Sequence, residues 1–482
     1  MGVSKNVIYR SFLWKAGEKA AGQLIHLAIE VILARLLIPE DFGIYTLLLT
    51  FIAFSNIIIE GGLGSSLIQS KTITEDDTTT IWYILLAMTC LLCAILFFAA
   101  PAISTFYGIS GFEKYLRVMM ITLFPSAYNS VQNSLAAREF RFKTIFKVNL
   151  ITIFVSGTAA IFFALNGFGV WALIIQYYIQ ITGNCILMRI HLKWKPSGSF
   201  SLESGKRLFS FGWKLLFANL LNRGYGEIYN LIIGKAFNTT TLGYYNKGKM
   251  LPGAFENGLT SVVTSVMFPL FSQKQDDLAE LKEKCRQSMR VITFIVAPIF
   301  CGIAATSVPV ISILLTKKWI AIAPIMEILC FGFIFQPISH ISTVTFNALG
   351  RSDVVLKLEI IKRSIGILLL LISLRFGIKA VALALATSYF INVILNCNAN
   401  KRLTGIVISD LIKDILPPIS ISVAMYIFVK LMSVWLNMTS SYGLLFTQIF
   451  TGVCIYLLGS WLFNRNTLKL FIKLLKQIFM KK

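Results

Sequence analysis

About fourteen apolar segments, each near the length that spans a bilayer, follow one another along this 482-residue chain. Crossing roughly 30 Å of hydrocarbon takes about 20 apolar residues. The approximate limits are 12–34, 43–68, 81–100, 116–136, 148–165, 168–188, 208–234, 248–271, 290–315, 324–347, 359–375, 378–397, 411–432 and 442–463. A lipid-exposed backbone must satisfy its own hydrogen bonds, so such runs fold as helices. The chain is 56% hydrophobic and only 14% charged, whereas a soluble domain carries about a quarter charged residues. The expectation is an all-α integral membrane protein of about 14 transmembrane helices, with no intervening loop long enough for a soluble domain.

Two halves of the chain echo each other. Leu33-Ala34-Arg35 … Phe42-Gly43-Ile44-Tyr45 is matched by Ile233-Gly234-Lys235 … Leu242-Gly243-Tyr244-Tyr245 at an offset of 200 residues. Phe168-Gly169 … Ala172 is matched by Phe376-Gly377 … Ala380 at an offset of 208. Repeated halves in so apolar a chain point to a transporter with its path between them. The repeat predicts a six-helix lobe over 1–200, its partner over 201–400, and an added helical hairpin with a basic amphipathic tail over 401–482. Because six helices return the chain to its starting side, the lobes are expected to be parallel repeats.

The net charge of +23 suits nucleic acid less well than it suits a membrane. Counted with the N-terminus inside, Lys and Arg favour the inner segments by about three to one. By the positive-inside rule both termini are cytoplasmic and the number of spans is even. The first apolar segment carries Lys15, Glu18 and Lys19, runs past Glu30 and lacks a small-residue cleavage site, so it reads as a retained helix. Seven of the eight cysteines fall in expected spans, with Cys285 in an inner loop, and Cys90-Leu-Leu-Cys93 has no nearby histidine. Neither a disulfide framework nor a metal site is expected. Leu278, Leu281, Cys285 and Met289 define a short amphipathic stretch, read as a cytoplasmic helix lying on the bundle. In the tail, Leu468, Phe471, Leu475 and Phe479 oppose Lys469, Lys473 and Lys476, the pattern of an interfacial helix.

Polar residues within the spans carry the functional information. Lys15, Glu18, Lys19, Gly22, His26 and Glu30 recur at helical spacing and share one face of the first span. Asn219, Asn222, Arg223, Gly226, Glu227 and Asn230 form the equivalent stripe in the seventh. Asn56, Glu60 and Gly64 match Glu256, Thr260 and Thr264 in register, and Asn129 and Asn133 match Gln336 and His340 at an offset of 207. Charge at the centre of a membrane helix costs from about 2.5 to more than 10 kcal/mol, so the set implies a hydrated cleft or close pairing. Local ties such as Arg223 with Glu227 are the structural alternative for single residues. His26 and His340 read equally as packing residues or as proton relays.

The run Leu33-Ala34-Arg35-Leu36-Leu37-Ile38-Pro39-Glu40-Asp41-Phe42-Gly43, then Gly62-Leu63-Gly64 … Leu67-Ile68-Gln69, Gly243-Tyr244-Tyr245-Asn246 … Phe268-Pro269 … Gln275-Asp276-Asp277, and Asn347-Ala348-Leu349-Gly350-Arg351-Ser352-Asp353 … Lys357-Leu358-Glu359 resembles the Wzx-type polysaccharide flippases. These belong to the multidrug/oligosaccharidyl-lipid/polysaccharide exporter superfamily, and the similarity is greatest to the colanic and teichuronic acid exporter subgroup. Members often carry an acid directly before Gly-Leu in the second helix. Here Glu60-Gly61-Gly62-Leu63 displaces that acid by one residue.

The resemblance implies two six-helix lobes in a V-shape plus two C-terminal helices. It also implies translocation of an undecaprenyl-pyrophosphate-linked oligosaccharide across a bacterial inner membrane, for O-antigen, capsule or exopolysaccharide assembly. No cofactor and no metal are expected. The expected partners are that substrate, the membrane lipids, and the polysaccharide polymerase and chain-length machinery.

For such a substrate, Lys15, Lys19, Lys214 and Arg223 are the cations placed to meet a diphosphate. Asn133, Asn219, Asn222, Asn230 and Gln336 are candidate polar lining for the saccharide, with Trp14, Trp213 and Tyr229 as aromatic faces. Glu30, Glu60, Glu227 and Glu256 are candidates for coupling to a proton or sodium gradient. A multidrug exporter of the same superfamily is the rival reading, and would want a cleft of net acidity. A membrane polysaccharide polymerase or glycosyltransferase would want a larger outer surface than the short outer loops give. Asp76-Asp77 and Asp276-Asp277 stand at inner helix starts, where solvated capping is expected. The small residues of 60–64 are expected to serve close helix packing.

Overall fold

The computed structural model describes residues 22–60, 62–435 and 441–479. Among these residues there is no strand. The chain divides into two compact units, Met1–Gly243 and Tyr244–Lys482.

The first unit contains α1 (22–36), α2 (Pro39–Glu60), α3 (Leu63–Gln69), α4 (Glu75–Tyr107), α5 (Phe112–Met120), α6 (Leu123–Arg138), α7 (Phe142–Leu165), α8 (Val170–Leu192) and α9 (Leu202–Ala236). It ends in the first turn of α10 (Thr239–Ser272). The second expected span is broken into α2 and α3 at Gly62, whose φ of 85° belongs to glycine. A Cβ there would lie 2.5 Å from the Gly212 carbonyl oxygen, so this break seats α3 against α9. Gly64 similarly lets α3 close on Ser134 of α6. The fourth expected span is also interrupted, between α5 and α6.

Asp76 and Asp77 are not a solvated pair. Thr74 and Asp77 form a reciprocal capping box at the start of α4, and Asp77, 1% exposed, receives Arg207 at 2.5 Å. The segment between α8 and α9 is strapped across the same helix start. Gly198 N–H donates to Thr79 Oγ1 at 3.0 Å, Ser199 N–H to Asp76 Oδ1 at 2.7 Å, and Ser201 N–H to Thr80 Oγ1 at 2.9 Å. The run Glu75-Asp76-Asp77-Thr78-Thr79-Thr80 thus holds the entry to α9.

The second unit holds the rest of α10, α11 (Leu278–Ala305), α12 (Ser307–Leu314), α13 (Ala323–Phe333), α14 (Phe335–Ala348), α15 (Ser352–Ser373), α16 (Ile378–Leu403), α17 (Ile408–Trp435), α18 (Ser441–Phe463) and α19 (Arg465–Phe479), with two short 3₁₀ turns. Asp277 caps α11 by accepting from Glu280 N–H at 2.9 Å. The amphipathic stretch 278–289 is therefore no separate helix on the bundle. It is the first half of α11, and Leu281, Cys285 and Met289 sit in a core with Phe271, Ile341, Cys397 and Leu411. Cys285 leaves its expected loop for the same reason. Asp414 of α17, 6% exposed, binds Arg286 and Arg290 of α11 at 2.7 Å each, which ties α17 to α11. Lys362 is buried in α15, and Lys247 is buried in α10. In the tail, Phe471 of α19 packs on Phe294 with ring centroids 5.5 Å apart.

Candidate functional site

Nine stretches of the described residues are long and apolar enough to cross a membrane by length and composition alone. Helices α9 and α15 are not among them, because both carry several charged side chains along their length. These helices, with α10, position the polar groups of interest.

In the first unit, α2 and α9 meet along a polar seam. Gly234 makes the approach possible, since a Cβ there would lie 2.7 Å from Leu47. Glu227 Oε2 is 3.0 Å from Thr50 Oγ1 of α2 and accepts from Asn230 Nδ2 at 3.2 Å. Arg223, one turn earlier, pairs with Glu60 at the end of α2 at 3.6 Å. The side chains of that pair are 66% and 47% exposed, so it is a loose pair. An exposed ion pair of this kind is worth about 0–1 kcal/mol. A second polar group lies one turn before Glu60 on α2, where Asn56 accepts from Ser126 Oγ at 2.8 Å and donates to Tyr177 Oη at 3.5 Å.

The remaining expected residues of this unit are distributed as follows. Lys214 and Asn133 are exposed, and Asn219 and Glu30 are half-buried. Trp213 is exposed, whereas Tyr229 is buried with its hydroxyl 3.1 Å from that of Tyr225. Lys15, Lys19, Trp14 and the Asn222 side chain lie outside the described residues.

In the second unit, Thr260 donates to Glu256 at 2.7 Å and Thr264 lies 2.8 Å from His340 Nε2 of α14. Gln336 is half-buried one turn earlier on α14. The repeat is visible in these contacts, because Gly64 meets α6 where Thr264 meets α14. The sequence expected a span from 359, and what it did not show is the pairing at the start of that span. Glu359 accepts from Lys362 and Arg363 at 3.0 Å each, and Lys362 is only 5% exposed. Their i+3 and i+4 spacing was the available signal. On the loop before α15, Arg351 forks onto Asp353 at 3.0 Å through two nitrogens and holds that carboxyl down at about 2.

The fold is that of a solved flippase. The "Lipid II flippase MurJ, inward closed conformation" superposes with a TM-score of 0.76 over 95% of this chain and all of that one, at 16% identity. Among curated sequences, the teichuronic acid biosynthesis protein TuaB of Bacillus subtilis (strain 168) is 24% identical over 62% of each chain. The succinoglycan biosynthesis transport protein ExoT of Rhizobium meliloti (strain 1021) is 23% identical over 68% of this chain and 66% of its own. The matches span less than two thirds of the length of these two relatives. Residues 32–324, more than half of this multi-pass, all-helical chain, match the family described as "Polysaccharide biosynthesis protein", and the chain belongs to that family.

Proposed function

We propose that this protein is a flippase that moves a diphosphate-linked, lipid-anchored oligosaccharide from the inner to the outer leaflet of a bacterial inner membrane for surface polysaccharide assembly. The observation that carries the reading is the loose Arg223–Glu60 pair on the polar seam of a chain with this family membership and fold. A prenyl chain can stay in lipid, whereas a diphosphate and a hydroxyl-rich head need a polar path. An arginine held by one exposed carboxylate at 3.6 Å is easily drawn to a diphosphate, which offers two charges and bidentate geometry. The repeat does not itself demand a cation there, since the equivalent position is Gln23.

In this reading Lys15, Lys19 and Lys214 assist Arg223, and Asn133, Asn219, Asn222, Asn230 and Gln336 line the saccharide path. Glu30, Glu60, Glu227 and Glu256 take part in ion coupling during alternating access between lobes 1–200 and 201–400, with 401–482 appended and both termini cytoplasmic. The protein moves its substrate without chemistry on it. Polymerase and chain-length proteins act downstream on what it delivers.

In a deletion strain, one lipid-linked repeat unit accumulates on the inner leaflet, identified by lipid analysis. Arg223→Ala fails to relieve that accumulation at normal expression, and Arg223→Lys relieves it in part, because the planar fork is lost. Full export by Arg223→Ala would overturn the assignment of Arg223. A deletion strain without any accumulated lipid-linked saccharide would overturn the function.

A further inference from the structure

In the second unit, a hydrogen-bonded line joins α10 to a histidine of α14. Glu256, Thr260 and Thr264 lie at four-residue steps on one face of α10. Thr260 Oγ1 donates to Glu256 at 2.7 Å, and Thr264 Oγ1 donates to the Thr260 carbonyl at 3.0 Å. A hydroxyl has one proton to give. With that proton on the Thr260 carbonyl, Thr264 Oγ1 receives the hydrogen bond from His340 Nε2, 2.8 Å away. In that arrangement Nε2 carries a hydrogen, and Nδ1 is the basic nitrogen of the ring.

Helix α15 packs on α14, and Glu359 and Lys362 are the charges on it that reach the half-buried imidazole. The other helices packed on α14 bring their charges elsewhere. Arg286 and Arg290 of α11 engage Asp414, Lys401 and Arg402 lie in the last turn of α16, and Glu327 of α13 engages Tyr426 and Lys430. His340 stands eight residues, roughly 12 Å, before the end of α14.

We infer that His340 is a proton-binding site, taking a proton on Nδ1, and that the Glu359–Lys362 pair controls its occupancy. One solvent proton adds to the neutral ring, the ring gains one positive charge, and the Nε2–H bond to Thr264 is kept. While Lys362 and Arg363 both sit on Glu359, that carboxylate has little attraction left for an imidazolium, and Lys362 repels it. A phosphate group that draws Lys362 away removes that repulsion and leaves Arg363 as the one cation on Glu359, so arrival of the anion loads a proton and its departure unloads one. The link to cargo rests on the flippase reading, whereas the proton site itself does not.

The chain has three histidines, His26, His191 and His340, so ¹⁵N-histidine NMR of the full-length protein in phosphatidylcholine nanodiscs resolves each ring. His340→Gln assigns the signal. We expect a neutral Nε2–H tautomer at high pH that becomes doubly protonated on acidification. Glu359→Gln lowers the midpoint by about one pH unit, and Lys362→Met, close in shape, raises it by about as much. Unchanged signals from His26 and His191 certify the fold of each variant, and the wild-type titration needs no variant. A His340 ring that stays in one state throughout, or a midpoint indifferent to both variants, would overturn the inference.

Farnesyl diphosphate added to the discs raises the wild-type midpoint. If phosphatidylglycerol discs alone produce the same rise, the anion is a lipid headgroup and the link to cargo is overturned. In proteoliposomes carrying a fluorescent farnesyl-diphosphate disaccharide, flux follows an imposed pH gradient, and His340→Gln abolishes that response. Wild-type flux indifferent to the gradient overturns proton coupling, whereas absence of any wild-type flux counts against the flippase reading and leaves the ring titration standing.

Discussion

Gly43 and Gly243, the pair that marks the sequence repeat, occupy the fifth positions of α2 and α10 and meet each other there. A Cβ on Gly43 would lie 1.7 Å from the Thr239 carbonyl oxygen, and one on Gly243 would lie 2.0 Å from the Pro39 carbonyl oxygen. Gly43→Ala therefore needs roughly 1.3 Å more room merely to reach 3.0 Å, and the obstacle is backbone rather than a movable side chain. Parting the two helix starts also loosens Leu47 and Leu48, which are fully buried on α2. Overpacking of this kind costs about 1–3 kcal/mol, or roughly a 5- to 150-fold loss in the folded-to-unfolded ratio.

The assay is unfolding in detergent followed by a thiol-reactive dye, since Cys285, Cys301, Cys330 and Cys397 are free and buried. Because one widening of the gap relieves both clashes, Gly43→Ala with Gly243→Ala should cost less than the two single changes added, by at least about 0.5 kcal/mol. A single variant as stable as wild type, or a strictly additive double variant, would refute the close crossing.

Asp414→Ala leaves Arg286 and Arg290 without their buried carboxylate and should destabilise the second unit by about 3–5 kcal/mol, read in the same unfolding assay. Gly198→Ala places a Cβ 2.6 Å from Asp76 Oδ1 and 2.7 Å from Asp76 N, so it lifts the strap. Faster tryptic cleavage at Lys193 and Lys195 should report this, and an unchanged rate would contradict it. Asp353 has its carboxyl held down by Arg351, so their pairing persists above the ordinary carboxylate range and is lost only as pH falls through about 2. Arg351→Gln should return the Asp353 titration, followed by carboxyl NMR, toward about 3.9, with no change in the pair between pH 5 and 8.

The apolar runs dictated an all-α membrane chain, because hydrocarbon offers the backbone no alternative partner. The 200-residue repeat singled out Gly43 and Gly243 before any coordinate, and the stripes on the first, second and seventh spans brought Glu60, Arg223, Glu227 and Asn230 to attention through helical spacing alone. Those signals are local, since they depend only on periodicity and on the cost of charge in lipid. What they left open was pairing. Arg223 had Glu227 within reach on its own helix, yet it turns to Glu60, and Glu227 meets Thr50, because the crossing of α2 and α9 puts those groups side by side. Helix boundaries also needed the tertiary structure. The stretch 278–289 reads as a separate surface helix, and only burial against α14, α16 and α17 shows it to be the first half of α11, with Asp414 and Glu359 neutralising what the core takes in. The sequence by itself determined the class of fold and the faces that matter; the tertiary structure decided which charge answers which, because a charge inside a membrane protein is set by its neighbours in space and not by its neighbours in the chain.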